Sequence, residues 1–262
     1  MKIFESSEDL QFFLDSYKNN HKKVTLVPTM GGLHDGHLRL IEKAKTLADV
    51  VVVSIFVNPT QFSKGEDFES YPKNFTNDKA LLVERGVDVL FIPSKSEIYP
   101  NGTLSNYEVG AMGQILCGVF RPFHFNGVAQ VVKRLFDIVK PDYSVFGEKD
   151  YQQLLIIKSL VKNLDLSVSI ESVATQRESD NLAMSTRNQY LNIKNRKKAP
   201  LFYRQLSKAK AAIEQGNSIE LVKQKALSKL SVDFEVEYFE VLNANNLTQI
   251  ATNTAEIIII SA

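Results

Sequence analysis

Two near-continuous apolar runs, Val24–Val27 and Val50–Val57, flank a glycine-rich turn and an amphipathic stretch, which leaves this chain few folds. Valine and isoleucine runs without polar alternation suit strands covered on both faces, as in a parallel sheet. Parallel neighbours need a crossover, and Leu38–Ala48, apolar along one helical face, supplies it. The alternation continues with a helix over Asn77–Arg85, a strand over Val87–Ile92 and a helix near Val128–Val139 that stops at Lys140-Pro141. A strand around Ser144–Phe146, a helix over Gln152–Asn163 and a strand over Leu166–Val173 follow. The expected fold class is therefore α/β, with a doubly wound, mainly parallel, Rossmann-like sheet in residues 1–174. Beyond that the pattern changes. Helices near Arg196–Glu214 and Ser218–Leu230 precede strands over Phe234–Val241 and Glu256–Ile260, the last read as buried. Residues 175–262 are expected to form a smaller α+β domain.

Composition narrows the function classes. With 31 basic and 30 acidic residues, no global field draws the chain to nucleic acid or to a membrane. The basic run Lys194–Lys198 reads as a solvated helix start. Cys117 is the single cysteine, so an intrachain disulfide and a multi-cysteine zinc site are excluded. The segment Met1–Leu10 is polar and acidic, unlike a secretory signal, and no apolar stretch approaches the roughly 18 residues of a membrane span. A cytoplasmic location is expected.

The chemistry concentrates where strands end. Pro28-Thr-Met-Gly-Gly-Leu-His-Asp-Gly-His37 joins a strand to a helix, a place where backbone N–H groups and the helix dipole favour a phosphate. His34 and His37 add donors that can follow charge as it builds on a reacting phosphoryl group. A polar capping turn is the competing reading of this histidine pair. Phe146-Gly-Glu-Lys-Asp-Tyr-Gln-Gln153 also follows a strand; Gly147 permits close backbone approach and Lys149 offers a mobile cation. Met184-Ser-Thr-Arg187 places a hydroxyl and a guanidinium on a loop that can close over outer phosphates. In Phe56-Val-Asn58-Pro-Thr-Gln61-Phe62, neutral amides at a strand end suit the hydroxyl and carboxylate groups of a small polar substrate. Turn chemistry explains Asn58-Pro59 equally well. Cys117–Phe125 reads mainly as a packed loop, with Arg121 and His124 as lesser ligand candidates.

In this order and at these separations, five segments resemble the pantothenate synthetase (pantoate–β-alanine ligase) family of HxGH nucleotidyltransferases. They are residues 28–37, Val53–Phe62, Arg121–Phe125, 146–153 and Leu182–Asn188, so the likeness spans about residues 24–190. The resemblance implies a two-step ligation: pantoate and ATP give a pantoyl adenylate and diphosphate, then β-alanine displaces AMP to give pantothenate, a coenzyme A precursor. It implies that ATP meets Met30, Gly31, Gly32, Leu33, His34, Asp35, Gly36 and His37, then Gly147, Glu148, Lys149 and Asp150, then Gln176, Met184, Ser185, Thr186 and Arg187. Catalytic roles fall to His37, as proton donor, and to His34 and Lys149; Gln61 and Gln153 hold pantoate, with Gln61 also near β-alanine. Mg²⁺ is expected, held chiefly by ATP and water, with Asp78 as a further ligand candidate. A homodimer is the family's common state. Three departures stand out: Phe123 where the family has a small residue, Gln176 at a usually apolar position, and Gly32 for the commoner alanine, expected to cost only local stiffness.

Two other functions fit parts of this pattern. A nucleotidyltransferase acting on a phosphate monoester calls for extra cations at the acceptor pocket, where Asn58, Gln61 and Gln153 stand instead. A nucleotide sensor without turnover does not need His34, His37, Lys149, Ser185 and Arg187 together.

Overall fold

Successive residues of the central strands face opposite ways, and both faces are apolar. The computed structural model describes residues 1–103, 108–250 and 256–262. In chain order the elements are β1 (Lys2–Phe4), α1 (Ser7–Lys18), β2 (Val24–Thr29), α2 (Asp35–Lys45), β3 (Val50–Ile55), α3 (Phe75–Glu84), β4 (Val89–Phe91), α4 (Lys95–Ile98) and α5 (Cys117–Phe120). Then come α6 (His124–Val139), β5 (Tyr143–Gly147), α7 (Tyr151–Asn163), β6 (Ser169–Val173), α8 (Ile193–Lys198), α9 (Pro200–Glu214), α10 (Ile219–Leu230), β7 (Phe239–Asn243) and β8 (Ile257–Ser261).

β1 to β6 form one parallel sheet in the order β1-β4-β3-β2-β5-β6. Val24, Leu26, Val50, Val52, Val89 and Phe91 pack on α1, α6 and α7 through residues such as Leu10, Leu135 and Ile157. Val27, Val51, Val53, Leu90 and Val145 face the other way, onto Leu38, Ile41 and Ala44 of α2 and Leu82 of α3. Each such side chain contributes about 1.5–3 kcal/mol when fully buried, so the two layers fix both the sheet and its register. The chain steps outward from β2 through β3 to β4, then returns to β5 on the other side of β2. That reversal opens a crevice beyond the carboxyl ends of β2 and β5, the place where open α/β sheets take ligands.

The remaining elements have a core of their own. Ala209 of α9, Val222, Ala226 and Leu230 of α10 and Phe239 of β7 pack together beneath an antiparallel β7–β8 pair. Leu242 and Leu247 pack in turn on Leu116 and Leu155, tying this layer to the larger sheet.

Several local expectations are corrected. β1 and α1 went unread: β1 is three residues long and pairs with β4, far away in sequence, at the sheet edge. α2 starts at Asp35 rather than Leu38, because His34 caps it, and α6 starts at His124 rather than Val128. The helical stretch near Arg196–Glu214 breaks at Pro200, which lacks an N–H and opens α9 as its first residue. β7 lies at Phe239–Asn243, and β8 is only partly buried.

One contact carries α6 to the site. A Cβ at Gly127 would lie 2.4 Å from the carbonyl oxygen of Thr60, so only glycine lets α6 meet the short 3-10 turn Pro59–Gln61 this closely. Gly127→Ala is expected to destabilise the protein by about 1–3 kcal/mol despite alanine's better helix propensity, the usual cost of overpacking against backbone. Thermal melts check this; an unchanged Tm would mean that the turn yields freely.

Candidate active site

The turn after β2 is held open by its neighbours. Gly31 and Gly32 have φ values of 83° and 64°, which glycine adopts without strain. Asp78 of α3, 1% exposed, accepts hydrogen bonds from the Gly32 and Leu33 N–H groups at 2.8 and 2.7 Å. Its carboxylate braces the turn and does not reach the cavity, so it is not the metal ligand considered from sequence. Gly32 does more than was expected of it: a Cβ there would lie 2.4 Å from the Thr186 methyl carbon, and Thr186 Oγ1 donates to the Gly32 carbonyl at 3.0 Å.

The two imidazoles fix each other's chemistry. His34 Nδ1 accepts from the Gly36 N–H at 3.1 Å, and His37 Nδ1 accepts from the His34 N–H at 3.3 Å, a capping box made of histidines. A ring nitrogen that accepts from a backbone N–H carries no hydrogen, so each neutral ring holds its proton on Nε2. Burial lowers the pKa of both rings; His34 and Lys149 add to the effect on His37, which falls to about 3. Both rings are therefore neutral Nε2–H donors near neutral pH. In the free protein His37, for which the resemblance implies a proton donor, is a neutral ring that offers its Nε2–H.

Beyond β5, the space above Gly147 is open. Glu148 turns away from it, accepting from Ser172 Oγ at 2.8 Å. Lys149 stands beside Asp150 at 3.3 Å, and that ammonium holds the Asp150 carboxyl below the usual carboxylate range. The third segment folds back through the Met184 N–H, which bonds the Gln176 carbonyl at 2.9 Å. Ser185 Oγ accepts from the Arg187 N–H at 3.3 Å. The Arg187 guanidinium grips Asp67 with two bonds of 2.8 Å, which keeps the Asp67 carboxyl ionised to lower pH than usual.

Gln61 is clamped from two directions. Its main-chain carbonyl accepts from His124 Nδ1 at 2.7 Å and from Arg121 Nη2 at 3.2 Å, while Arg121 also holds Glu66. Burial and the adjacent guanidinium lower the His124 pKa to about 4, in keeping with a neutral ring that donates through Nδ1. Arg121 and His124 thus support Gln61. Phe123, where a small residue is usual, sits exposed with φ 70°, a backbone region that suits glycine. Asn58, 1% exposed, lines the cavity and gives its amide hydrogens to Gln61 Oε1 and the Gly127 carbonyl, both at 3.1 Å.

One cavity of about 240 Å³ gathers most of the residues singled out from sequence. Met30, His34, Gly36 and His37 line it from the β2 turn, and Gly147, Lys149, Asp150 and Gln153 from the end of β5 and α7. Gln61, Gln176, Met184, Ser185, Thr186 and Arg187 complete that polar set. Gly31, Gly32, Leu33, Asp35 and Glu148 do not line it; the first three shape the turn and Asp35 lies exposed in the first turn of α2. Sequence reading missed the apolar wall of Phe56, Val128, Val131, Val132 and Leu135, and Tyr71 beside Arg187. On α6 these valines repeat at helical spacing, which reads as core whether or not a cavity opens above them.

Comparison with known proteins shows the family. The family model described as pantoate-beta-alanine ligase matches residues 2–262. A pantothenate synthetase of Vesicomyosocius okutanii is 49% identical over 262 residues, covering 100% of this chain and 93% of that protein. The crystal structure of pantothenate synthetase from Thermus thermophilus superposes with a TM-score of 0.92 at 39% identity, covering 100% of this chain and 95% of that one. The pantoate-beta-alanine ligase of Francisella tularensis, complexed with beta-gamma ATP and beta-alanine, gives a TM-score of 0.79 at 37% identity, with 92% and 89% covered. A parallel sheet whose switch-point crevice carries two histidines, a lysine and a Ser/Arg loop, matched end to end at these identities, makes this chain a member of the pantoate–β-alanine ligase family.

Proposed function

We propose that both steps of the ligation take place in the crevice between β2 and β5, with the residues of its rim in distinct roles. The chain is an ATP-dependent ligase that condenses pantoate with β-alanine to give pantothenate, AMP and diphosphate. What supports the placement is that three segments distant in sequence, around His37, Lys149 and Ser185–Arg187, face a single cavity.

In the first step the pantoate carboxylate attacks the α-phosphorus of ATP and diphosphate leaves. His34 and His37, as Nε2–H donors at the start of α2, meet oxygens on which negative charge grows. Lys149 neutralises that charge, and Arg187 joins it by exchanging the Asp67 carboxylate for phosphate oxygens. Such transfer needs positioning and charge neutralisation more than covalent help. Gln61 and Gln153 hold the pantoate oxygens, and the α6 valines receive its two methyl groups. In the second step the β-alanine amine attacks the acyl carbon, near Gln61, and AMP departs.

Mg²⁺ fits this site as a companion of ATP. Among the described residues no group of three His, Cys, Asp or Glu side chains could hold a metal, and Asp150 is the one carboxylate lining the cavity. Bound to the phosphates, Mg²⁺ would share the neutralisation of diphosphate with Lys149 and Arg187. The layer from residue 175 onward carries Ser185 and Arg187, and it acts as a lid that shields the adenylate from water. The working unit is a homodimer in the cytoplasm; among the described residues no helix is long and apolar enough to cross a membrane.

The test is a product assay in two stages. With ATP and pantoate alone, the protein should exchange labelled diphosphate into ATP; adding β-alanine should release AMP and pantothenate in equal amounts. A stable product that retains the nucleotide, or binding without diphosphate release, would overturn this assignment.

A further inference from the structure

We infer that a second cavity, between the large sheet and the C-terminal layer, is the way in for the amino acid, and that Arg177 meets its carboxylate there. This rests on the placement of both steps in the crevice proposed above.

The second cavity, of about 580 Å³, is larger than the first and joins it. Lys149, Asp150, Gln153 and Thr175 line both. Arg121 and His124, which hold the Gln61 carbonyl, line the second as well, so it reaches the end of the crevice assigned to pantoate. The nucleotide side offers less room. There the segment after Met184 is pinned across the rim: Thr186 Oγ1 donates to the Gly32 carbonyl at 3.0 Å and the Tyr190 hydroxyl to the Ser70 carbonyl at 2.9 Å, while Arg187 holds Asp67. With ATP beneath this segment and pantoate at Gln61 and Gln153, an incoming amine needs a path that does not cross the phosphates. The second cavity supplies one.

Its chemistry suits a small amino acid. Phe125, Phe202, Phe234 and Tyr238 make much of its wall apolar, and Asp150, already paired with Lys149, is the one carboxylate side chain among the described residues that line it. Arg177 stands in it with Cζ 3.3 Å from the centre of the Tyr203 ring. Its Nη1 donates to the Asn181 carbonyl at 3.3 Å, and among the described residues no carboxylate pairs with it. Burial lowers the pKa of this arginine, and Tyr203 is what opposes the shift. A guanidinium kept partly from water without a counter-ion favours an anion. With the carboxylate of the amino acid drawn to Arg177, the amine is the end left to enter the first cavity. There its nitrogen bonds to the acyl carbon, the bond from that carbon to the AMP oxygen breaks, and the nitrogen loses a proton. An amine without a carboxylate gains nothing from Arg177, so the cavity selects for the amino acid.

The test separates the two half-reactions, because diphosphate exchange with ATP and pantoate does not need the amino acid and pantothenate formation does. Arg177→Gln should raise β-alanine KM about 10-fold or more, the scale of one charge-assisted hydrogen bond, with exchange within about twofold of the parent protein. For 3-aminopropanamide, an amine that lacks the carboxylate, kcat/KM should already be low in the parent and change less than about twofold in the variant, and Arg177→Lys should recover part of the loss for β-alanine. An equal loss for both amines, or an unchanged β-alanine KM, overturns the role of Arg177. The path itself is tested at Cys117, the single cysteine, which lines the second cavity and not the first. A benzyl disulfide placed there with benzyl methanethiosulfonate should lower kcat/KM for β-alanine at least about 10-fold, spare exchange, and be reversed by dithiothreitol. Complete modification with β-alanine kinetics unchanged overturns the path. Should the thiol resist modification, Leu206→Trp, which narrows the same cavity from α9, gives the same readout with the same two outcomes. The reading of the crevice fails separately: it falls if the unmodified protein shows no exchange.

Discussion

Replacing His37 by alanine is expected to lower pantoate-dependent diphosphate exchange by about 10²-fold or more, the scale of losing one preorganised donor at a developing charge. The ring's state sharpens this expectation. Its Nδ1 is occupied by the His34 N–H, and burial with two nearby cationic or titratable groups takes its pKa to about 3. In the free protein His37 therefore stays neutral from about pH 4 upward, and kcat/KM for ATP should show no inflection near pH 6.5 from this residue. His37→Asn, which keeps a neutral N–H donor, should recover part of the lost rate. A protonated acid makes the opposite forecast: an inflection on the alkaline side and no rescue by asparagine. Rapid-quench rates across pH for the three proteins separate the two, and full activity in His37→Ala would remove this residue from the mechanism.

Why some of this was legible in sequence and some was not follows from the range of each interaction. The turn from Met30 to His37 is local: two glycines at positive φ and a capping box all act within ten residues. Lys149 and the Met184–Arg187 loop were legible for the same reason, being short motifs at the ends of elements. The partners that hold Asn58, Tyr99 and Gly127, were not legible because they lie 41 and 69 residues away. Asp78 was misjudged likewise: nothing local shows that its carboxylate caps a turn 45 residues earlier. The α6 valines look the same in sequence whether they fill a core or line a cavity. β1 escaped because three residues at a sheet edge carry too little periodicity to register, and its partner β4 lies far along the chain.

The two basic side chains at the rim are not equivalent, and the difference sets the second large effect. Arg187 is already paired, giving Nε and Nη2 to Asp67 in two bonds of 2.8 Å, so its charge is partly neutralised before a phosphate arrives. Lys149 has one longer contact of 3.3 Å to Asp150, and its side chain is 39% exposed. On the proposed mechanism the lysine is therefore expected to meet ATP first and the arginine second. Lys149→Met is expected to cut the adenylation rate by at least about 10²-fold, since no other free cation lines the described cavity to take its place. The same change removes a charge that depresses both rings, so the His34 and His37 pKa values should rise. Asp150 loses the partner that holds its carboxyl low, so its pKa should rise as well. Asp67→Asn should act in the other direction on ATP, lowering its KM by freeing Arg187 in advance, at the cost of a less ordered wall around Phe62 and Tyr71. Imidazole titrations by NMR together with exchange kinetics would read both effects. A Lys149→Met protein with normal exchange would show that Arg187 alone neutralises the departing diphosphate, and the order in which the two cations engage would then be reversed.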